Sequence, residues 1–559
     1  MDIRPLTGEL SVAPQITAAD LPALRDAGFK AIVCNRPDSE GADQPNFGEI
    51  ECAAQAQGLQ ARYLPAESGK VTDEQGAAFG ALMAELPKPV LAYCRTGMRS
   101  TTMWALSQAG QMALPQIIEA SAKAGFDLKG VVRRIVNGGK TPVEVADATH
   151  AVVIIGGGAA GISAAASLLA RSPGLDIAII DPADIHYYQP GWTMVGAGVF
   201  DAATTARTMA SVLPRGVHWI KSAVAAFEPE RNVVILDGCR VVRYEQLIVC
   251  PGLKLDWHGI EGLVDTLGRN GVTSNYRYDL APYTWQLVQQ LGRQKGGGRA
   301  IFSQPPMPIK CAGAPQKAMY LSADHWRRTG VLPSIDIQFC NAGAVLFGVA
   351  DYVPALMAYV KAYGIGLNFG QTLVSVDGPG RKAAFSQARP DGTKELIVRE
   401  FDLLHAVPPQ KAPDFIRVSP LADAAGWVDV DPGTLRHKQF ANVFALGDAA
   451  NTPNAKTAAA ARMQAPVVAH NVMVARGAAK GEAQYDGYGS CPLTVERGKI
   501  VLAEFTYGGK LAPSFPKWLI DGTKPSTLAW LLKERFLPPL YWDGMLKGRE
   551  WMAKPEMVG

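Results

Sequence analysis

The sequence predicts an α/β protein, on three observations. Short apolar runs alternate with helical patterns along most of the chain. One such run, Ala151–Ile155, opens directly into Gly156-Gly-Gly-Ala-Ala-Gly161 and a helical stretch, Ile162–Ala170. Far downstream a second apolar strand ends in Gly447-Asp448. Together they describe a tandem, Rossmann-like dinucleotide-binding architecture preceded by a separate α/β region. A chain of 559 residues has room for three or four domains. The expected division is an amino-terminal domain over 1–140, a linker over 141–150, an oxidoreductase over 151–476 with its second half at about 260–400, and a carboxy-terminal region over 477–559.

Composition excludes several classes. A formal charge of +4 is too small and too evenly spread for a nucleic-acid partner, although it would not repel an anionic membrane. The opening residues lack an apolar signal core, and no later segment approaches the roughly 20 apolar residues of a spanning helix, so a cytoplasmic protein with peripheral membrane contact is expected. Eight cysteines over this length form no Cys-x-x-Cys pattern and are expected to be mostly reduced.

In the amino-terminal region, Lys30–Cys34 and Pro89–Tyr93 read as strands and Glu74–Leu86 as a helix. The second strand leads into Cys94-Arg-Thr-Gly-Met-Arg-Ser100 and a helical Thr101–Gln108. A cysteine ending a strand, a loop of backbone N–H groups and a following helix form an anion cradle that favours a thiolate or its adduct. Cys94 is therefore a candidate nucleophile and Arg99 its anion-binding partner.

The polar stretch Asn137–His150 is the expected linker, and the glycine loop follows. Gly156, Gly158 and Gly161 supply a tight turn, a close backbone approach to a pyrophosphate and close helix packing, with the helix N-terminus facing the phosphate charge. The next strand, Asp176–Ile180, ends at Asp181, about twenty residues on, where a carboxylate can accept from ribose hydroxyls or cap the turn before Pro182. Ala160 in the loop, Gln189 and Val224 are further candidates for the same cofactor. Asn442–Asp448 and the helix that follows complete the expected site: Asp448 would bond a ribityl chain, and Lys456, placed in the first turn of that helix, would add charge near a flavin. FAD is the expected cofactor.

The second half places Cys311 where a nicotinamide-binding glycine loop would stand, in Pro308-Ile-Lys-Cys-Ala-Gly-Ala-Pro-Gln-Lys317 after the strand Arg299–Ser303. Flanked by Lys310 and close to a helix N-terminus, its thiol is expected to be acidified and nucleophilic. Only one glycine loop of the right kind is present, so NAD(P)H oxidation is not expected. In the tail, Phe515–Gly559 holds Trp518, Trp530, Trp542 and Trp551, and Leu528–Leu537 reads as an amphipathic helix ended by Pro538 and Pro539. It could lie in a bilayer interface or dock on the protein itself.

His186–Gly198, Pro308–Leu321, Phe347-Gly-Val, Lys456–Ala460, Val501–Tyr507 and Leu537–Asp543 together resemble sulfide:quinone oxidoreductases of the mitochondrial type from about 150 to 559. The resemblance implies that Cys311 captures sulfide sulfur as a persulfide, that FAD takes the electrons, that a quinone removes them and that the tail guards the quinone entrance. It also exposes a departure. The family's second redox cysteine follows the Gly-Asp pair, and here that position is Ala449. Cys311 must then work with an outside thiol or sulfite acceptor, or with another cysteine such as Cys340, which otherwise reads as core.

The amino-terminal region, with Gly8–Gln15 and Cys34-Asn-Arg-Pro-Asp38, resembles small phosphatase-fold proteins of unassigned role found joined to sulfur-metabolism enzymes. Tyrosine phosphatases place five residues between cysteine and arginine and rhodaneses four; Cys94 and Arg99 are separated by four. Tyr93 replaces the histidine usual in phosphatases. The expected function is a sulfide:quinone oxidoreductase-like enzyme fused to a persulfide sulfurtransferase domain. A phosphatase joined to the same flavoprotein, and a flavin redox sensor that no longer turns over because of Ala449, are the alternatives.

Overall fold

Val90–Tyr93, four wholly buried residues, is the middle strand of the amino-terminal sheet because it can be covered on both faces. The computed structural model describes residues 2–41, 44–142, 148–237, 240–389 and 391–558. Cys239, and residues 143–147 of the expected linker, lie outside the described residues. The chain divides into two compact units. The smaller comprises Met1–Thr149, Ala223–Arg243 and Val418–Pro420; the larger comprises His150–Ser222, Tyr244–Arg417 and Leu421–Gly559.

In the smaller unit the strand order is Arg4–Pro5, Leu10–Ala13, Val90–Tyr93, Ala31–Cys34, Gln60–Tyr63. The first pair is antiparallel and the rest are parallel. Apolar side chains from alternate strand positions fill two cores, one around Phe79, Met103 and Trp104 and one around Ile32, Ile50 and Tyr93. The helix Met98–Ser107 starts three residues earlier than its apolar pattern suggests, because Gly97 at φ 93° turns the chain and caps it. Parallel strands put the Cys94 loop at their carboxyl end, the usual place for a site in such a sheet.

The larger unit holds two parallel-stranded layers. In the first, Val217–Ile220, Ile177–Ile180 and Ala148–Ile155 are parallel neighbours, and Val241–Val249 pairs in parallel with Val443–Ala445. In the second the order is Val272–Thr273, Leu403–His405, Gly298–Gln304, Ile335–Asn341, Gly366–Phe369, all parallel. The chain crosses from one layer to the other and back, which joins Gly447-Asp448 to the first layer although it lies almost 300 residues after the glycine loop. An antiparallel hairpin, Gly489–Glu496 with Lys499–Phe505, packs its Cys491, Leu493, Val501 and Ala503 into the core under the helix Ala314–Arg328.

The tail departs from expectation. Pro538 and Pro539 do not end the helix: helical turns run from Thr527 to Lys547. The prolines occupy the start of the short helical piece Leu537–Pro539, and wider π turns on either side, Leu532–Phe536 and Leu540–Gly544, absorb the missing N–H donors. This segment docks on its own unit through Trp530, Tyr541, Trp542 and Met545, while Leu528, Leu531 and Phe536 stay exposed. No described helix is long and apolar enough to cross a membrane.

Candidate functional site

The glycine loop is dictated by close approaches that only hydrogen at Cα permits. A Cβ on Gly161 would stand 1.9 Å from the carbonyl oxygen of Gly156, and one on Gly156, at φ 102°, would stand 2.7 Å from that of Cys250. A Cβ on Gly158 would meet nothing within 4 Å, so this residue faces open space at the N-terminus of the helix Ala159–Arg171. Asp181 accepts from the N–H groups of Gly157 (2.6 Å) and Ala183 (2.7 Å), so its carboxylate ties the loop to the end of the second strand. His186, buried and held neutral by desolvation, bridges the loop to the tail: Nδ1 is 3.0 Å from Gly157 O and Nε2 is 2.7 Å from the Tyr541 hydroxyl. The carbonyl can only accept, so Nδ1 donates to it and Tyr541 donates to Nε2.

Asp448 is half-buried and, among the described residues, its carboxylate has no hydrogen-bond partner; burial raises its pKa. A desolvated carboxylate without a donor suits the hydroxyls of a ribityl chain. Ala160 stands beside it in space, because a Cβ on Gly447 would meet the Ala160 Cβ at 3.2 Å. The glycine cradle, the free carboxylate and the helix Ala458–Ala475, which begins next to them, therefore fit an FAD lying across the carboxyl ends of the first layer. Val224 opens the strand Val224–Glu228, where it pairs with Leu236, and of the cofactor candidates it alone falls in the smaller unit.

Two lysines differ from their expected roles. Lys456 is not in the first turn of the helix: Thr457 caps that helix, and Lys456 precedes the cap. Its ammonium is buried against the carbonyl oxygens of Asp448 (2.9 Å) and Ala450 (2.8 Å) and over the Trp427 ring, and desolvation pulls its pKa down to about 8. It pins the Gly-Asp turn. Lys310 does not hold the Cys311 sulfur either. Its ammonium is hydrogen-bonded to Gln189 and lies near the rings of Trp192 and Tyr276.

The cation on the sulfur is Lys317, six residues on in the first turn of the helix Ala314–Arg328, with Nζ 3.2 Å from Cys311 Sγ. Cys311 sits at φ 48°, a left-handed conformation that costs a non-glycine residue on the order of 1–3 kcal/mol. Backbone bonds hold it there: its N–H donates to Lys456 O (2.8 Å), its carbonyl accepts from Ala314 N (2.7 Å), and Tyr276 OH donates to the carbonyls of Lys310 and Cys311. The thiol is pulled well below its usual range by a hydrogen bond from Cys491, by Lys317 and by the charge of Lys533, against the opposing effect of burial. Sequence reasoning misses Cys491. It lies 180 residues away in the hairpin, and no local pattern marks it as anything but an inward-facing strand residue. Cys340 is wholly buried in a different core, beside Arg399, and does not meet Cys311.

In the smaller unit, Cys94 Sγ is buried and accepts from Gly97 N at 3.1 Å, as an anion cradle requires. Arg99 is buried and close enough to Cys94 to feel its charge, but its fork is taken: Nη1 and Nη2 donate to the two Glu40 carboxylate oxygens at 2.7 and 2.8 Å, and Nη1 also donates to Ala66 O. Glu40 itself is held below the usual carboxylate range by Arg99.

Comparison with known proteins fits this geometry. The family model for pyridine nucleotide-disulphide oxidoreductases matches residues 150–283, and that for the phosphatase-like domain of beta-lactamase hydrolase-like proteins matches 2–111. The mitochondrial sulfide:quinone oxidoreductase of Dictyostelium discoideum is 41% identical over 405 residues, 72% of this chain and 87% of that protein. The chain belongs to the sulfide:quinone oxidoreductase family. It is an FAD-dependent oxidoreductase carrying a phosphatase-like amino-terminal domain. The sulfide:quinone oxidoreductase of Aquifex aeolicus shares the fold, with a TM-score of 0.59 at 17% identity over 72% of this chain and 93% of that one. The beta-lactamase hydrolase-like protein of Agrobacterium fabrum is 35% identical over 126 residues, 22% of this chain and 29% of that protein.

Proposed function

We propose that the larger unit oxidises sulfide at Cys311 and passes the electrons through FAD to a quinone, and that Cys94 accepts or delivers the persulfide sulfur. One observation carries the flavin half: a thiolate stabilised by Lys317 is bonded through its own backbone to Lys456, the residue that pins the Gly447-Asp448 turn of the cofactor site. FAD supplies a two-electron acceptor that can hand the pair on. The chain's residues do the rest. Gly156, Gly158, Ala160 and Gly161 seat the pyrophosphate, Asp181 orders that loop, and Asp448 takes the ribityl hydroxyls. Lys317 keeps Cys311 ionised, and Gln189 steadies Lys310 beside it. A low-molecular-weight thiol or sulfite then removes the outer sulfur.

The exposed Leu528, Leu531 and Phe536 support peripheral contact of the tail with a membrane, the source of a lipid-soluble quinone. The test is an anaerobic sulfide titration of the flavin spectrum. Sulfide should bleach the yellow protein and a quinone analogue should restore the colour; a flavin that stays oxidised overturns the reading.

For the smaller unit the four-residue spacing from Cys94 to Arg99 and the buried thiol support sulfur transfer. Phosphatase activity is the second reading, favoured by the phosphatase-like family model over 2–111. Transfer of sulfur from thiosulfate to cyanide, lost in Cys94→Ala, separates it from p-nitrophenyl phosphate hydrolysis.

A further inference from the structure

We infer that His150, Asp176 and His218 form a binding site for a divalent transition ion of the zinc class, at the end of the first parallel layer opposite the glycine loop and separate from both reactive thiols.

Topology brings the three together from separate stretches of sequence. Ala148–Ile155, Ile177–Ile180 and Val217–Ile220 are neighbouring parallel strands, so the residues at which they begin lie side by side. His150 is near the start of the first, Asp176 immediately precedes the second and His218 is the second residue of the third. The Asp176 carboxylate is the hub: its Oδ1 lies 2.9 Å from His150 Nδ1 and 3.7 Å from His218 Nε2, and the two imidazole centroids are 5.3 Å apart. At 3.7 Å His218 is beyond hydrogen-bonding reach of that oxygen, so an ordinary hydrogen-bonded pair explains one histidine and not the second. A metal ion accounts for both. The donor atoms of the three side chains all lie within 4.8 Å of one another, and among the described residues no other three His, Cys, Asp or Glu side chains converge in this way. A tetrahedral zinc ion with bonds of about 2.0–2.2 Å holds its donors roughly 3.3–3.6 Å apart, so side-chain shifts of about an ångström close the site.

The donor set selects the ion. Two imidazoles and one carboxylate suit zinc and the neighbouring divalent ions cobalt, nickel and copper; there is no thiolate for a softer ion and there are too few oxygens for calcium or magnesium. Three protein ligands leave a fourth position to water. Asp176 Oδ2 lies 3.4 Å from the Ala151 N–H, a contact that orients a ligating carboxylate. In neutral His150 the proton that Nδ1 shares with Asp176 moves to Nε2, which frees Nδ1 as the ligand. His218 is exposed, whereas His150 and Asp176 are partly covered, so an ion enters on the His218 side. Once bound, it ties the strand that follows the linker to its two neighbours. The carboxyl ends of the same strands carry Gly156 and Asp181, and five residues of extended chain, roughly 16 Å, separate His150 from Ile155. The ion therefore braces the sheet without touching the flavin.

The test uses the yellow holoprotein, stripped of metal by a chelator and with its thiols blocked by iodoacetamide so that sulfur ligands do not compete. Zinc is titrated against a chromophoric chelator. The expected result is one tightly held ion per chain, a higher melting temperature with zinc than without, and an unchanged flavin spectrum. His218→Ala, a change at an exposed side chain, should weaken binding by at least about a hundredfold and remove the thermal shift while leaving the metal-free melting temperature as it was. Asp176→Asn should do the same to binding. Cobalt in place of zinc should give visible bands at wavelengths beyond the flavin absorption in the wild type and not in His218→Ala. Wild-type protein that holds no zinc, or zinc held equally by the wild type and both variants, would overturn the inference; neither outcome bears on the role of Cys311.

Discussion

At the scale of single residues, charge placement decides reactivity. Lys317 rather than Lys310 faces Cys311, so Lys317→Met should raise the Cys311 pKa and slow its alkylation at pH 6 by about tenfold or more, whereas Lys310→Met should change it little. Lys533 gives a second handle. Burial and the repulsion of Lys317 bring it down to about 7 from 10.5, so between about pH 7 and 10.5 the unfolded chain binds a proton that the folded one does not. Stability therefore falls as pH is lowered through that window and levels off below about 7, where both states are protonated. Lys533→Met should flatten that part of the melting-temperature profile; an unchanged slope would show the group to be ordinary. The tight glycine turn was legible as sequence because its requirement is local: Gly161 has to clear the Gly156 carbonyl within one turn of chain. The partner of Cys311 was not, because Lys317 and Cys491 meet it only when a helix and a hairpin pack together.

Elements carry the next level. The strand, loop and helix around Cys94 are contiguous in sequence, and so the cradle was readable; the occupation of Arg99 by Glu40 was not, since the two lie 59 residues apart. Freeing the fork by Glu40→Gln should tighten thiosulfate binding by about tenfold, the ratio that about 1.4 kcal/mol gives, as read by calorimetry. Binding that weakens would mean Glu40 positions Arg99 instead of competing for it. In the tail, local proline rules predict a stop that π turns on either side of Pro538-Pro539 avoid, since stability there comes from Trp530, Tyr541 and Trp542 seated in the core rather than from helix propensity. The apolar residues left outside make a prediction of their own: Leu531→Asp with Phe536→Asp should abolish co-flotation with liposomes while keeping the flavin bound.

For the molecule as a whole, the second parallel layer has the shape of a nucleotide-binding half without its glycine loop. After Gly298–Gln304 the chain enters Pro305-Pro306 and reaches Cys311 before the helix begins at Ala314. NADH should therefore leave the flavin oxidised under anaerobic conditions in which sulfide bleaches it; rapid reduction by NADH would show that this half still binds a pyridine nucleotide. The sequence by itself determined the α/β class and the local patterns on which the proposed dinucleotide loop, anion cradle and reactive thiol rest, because strand runs, glycine spacing and strand-to-helix turns act over a few residues. Only the tertiary structure decided which charge meets which sulfur. Cys311, Lys317, Cys491 and Lys533 come from separate elements, and burial from water strengthens the influence of their charges on one another.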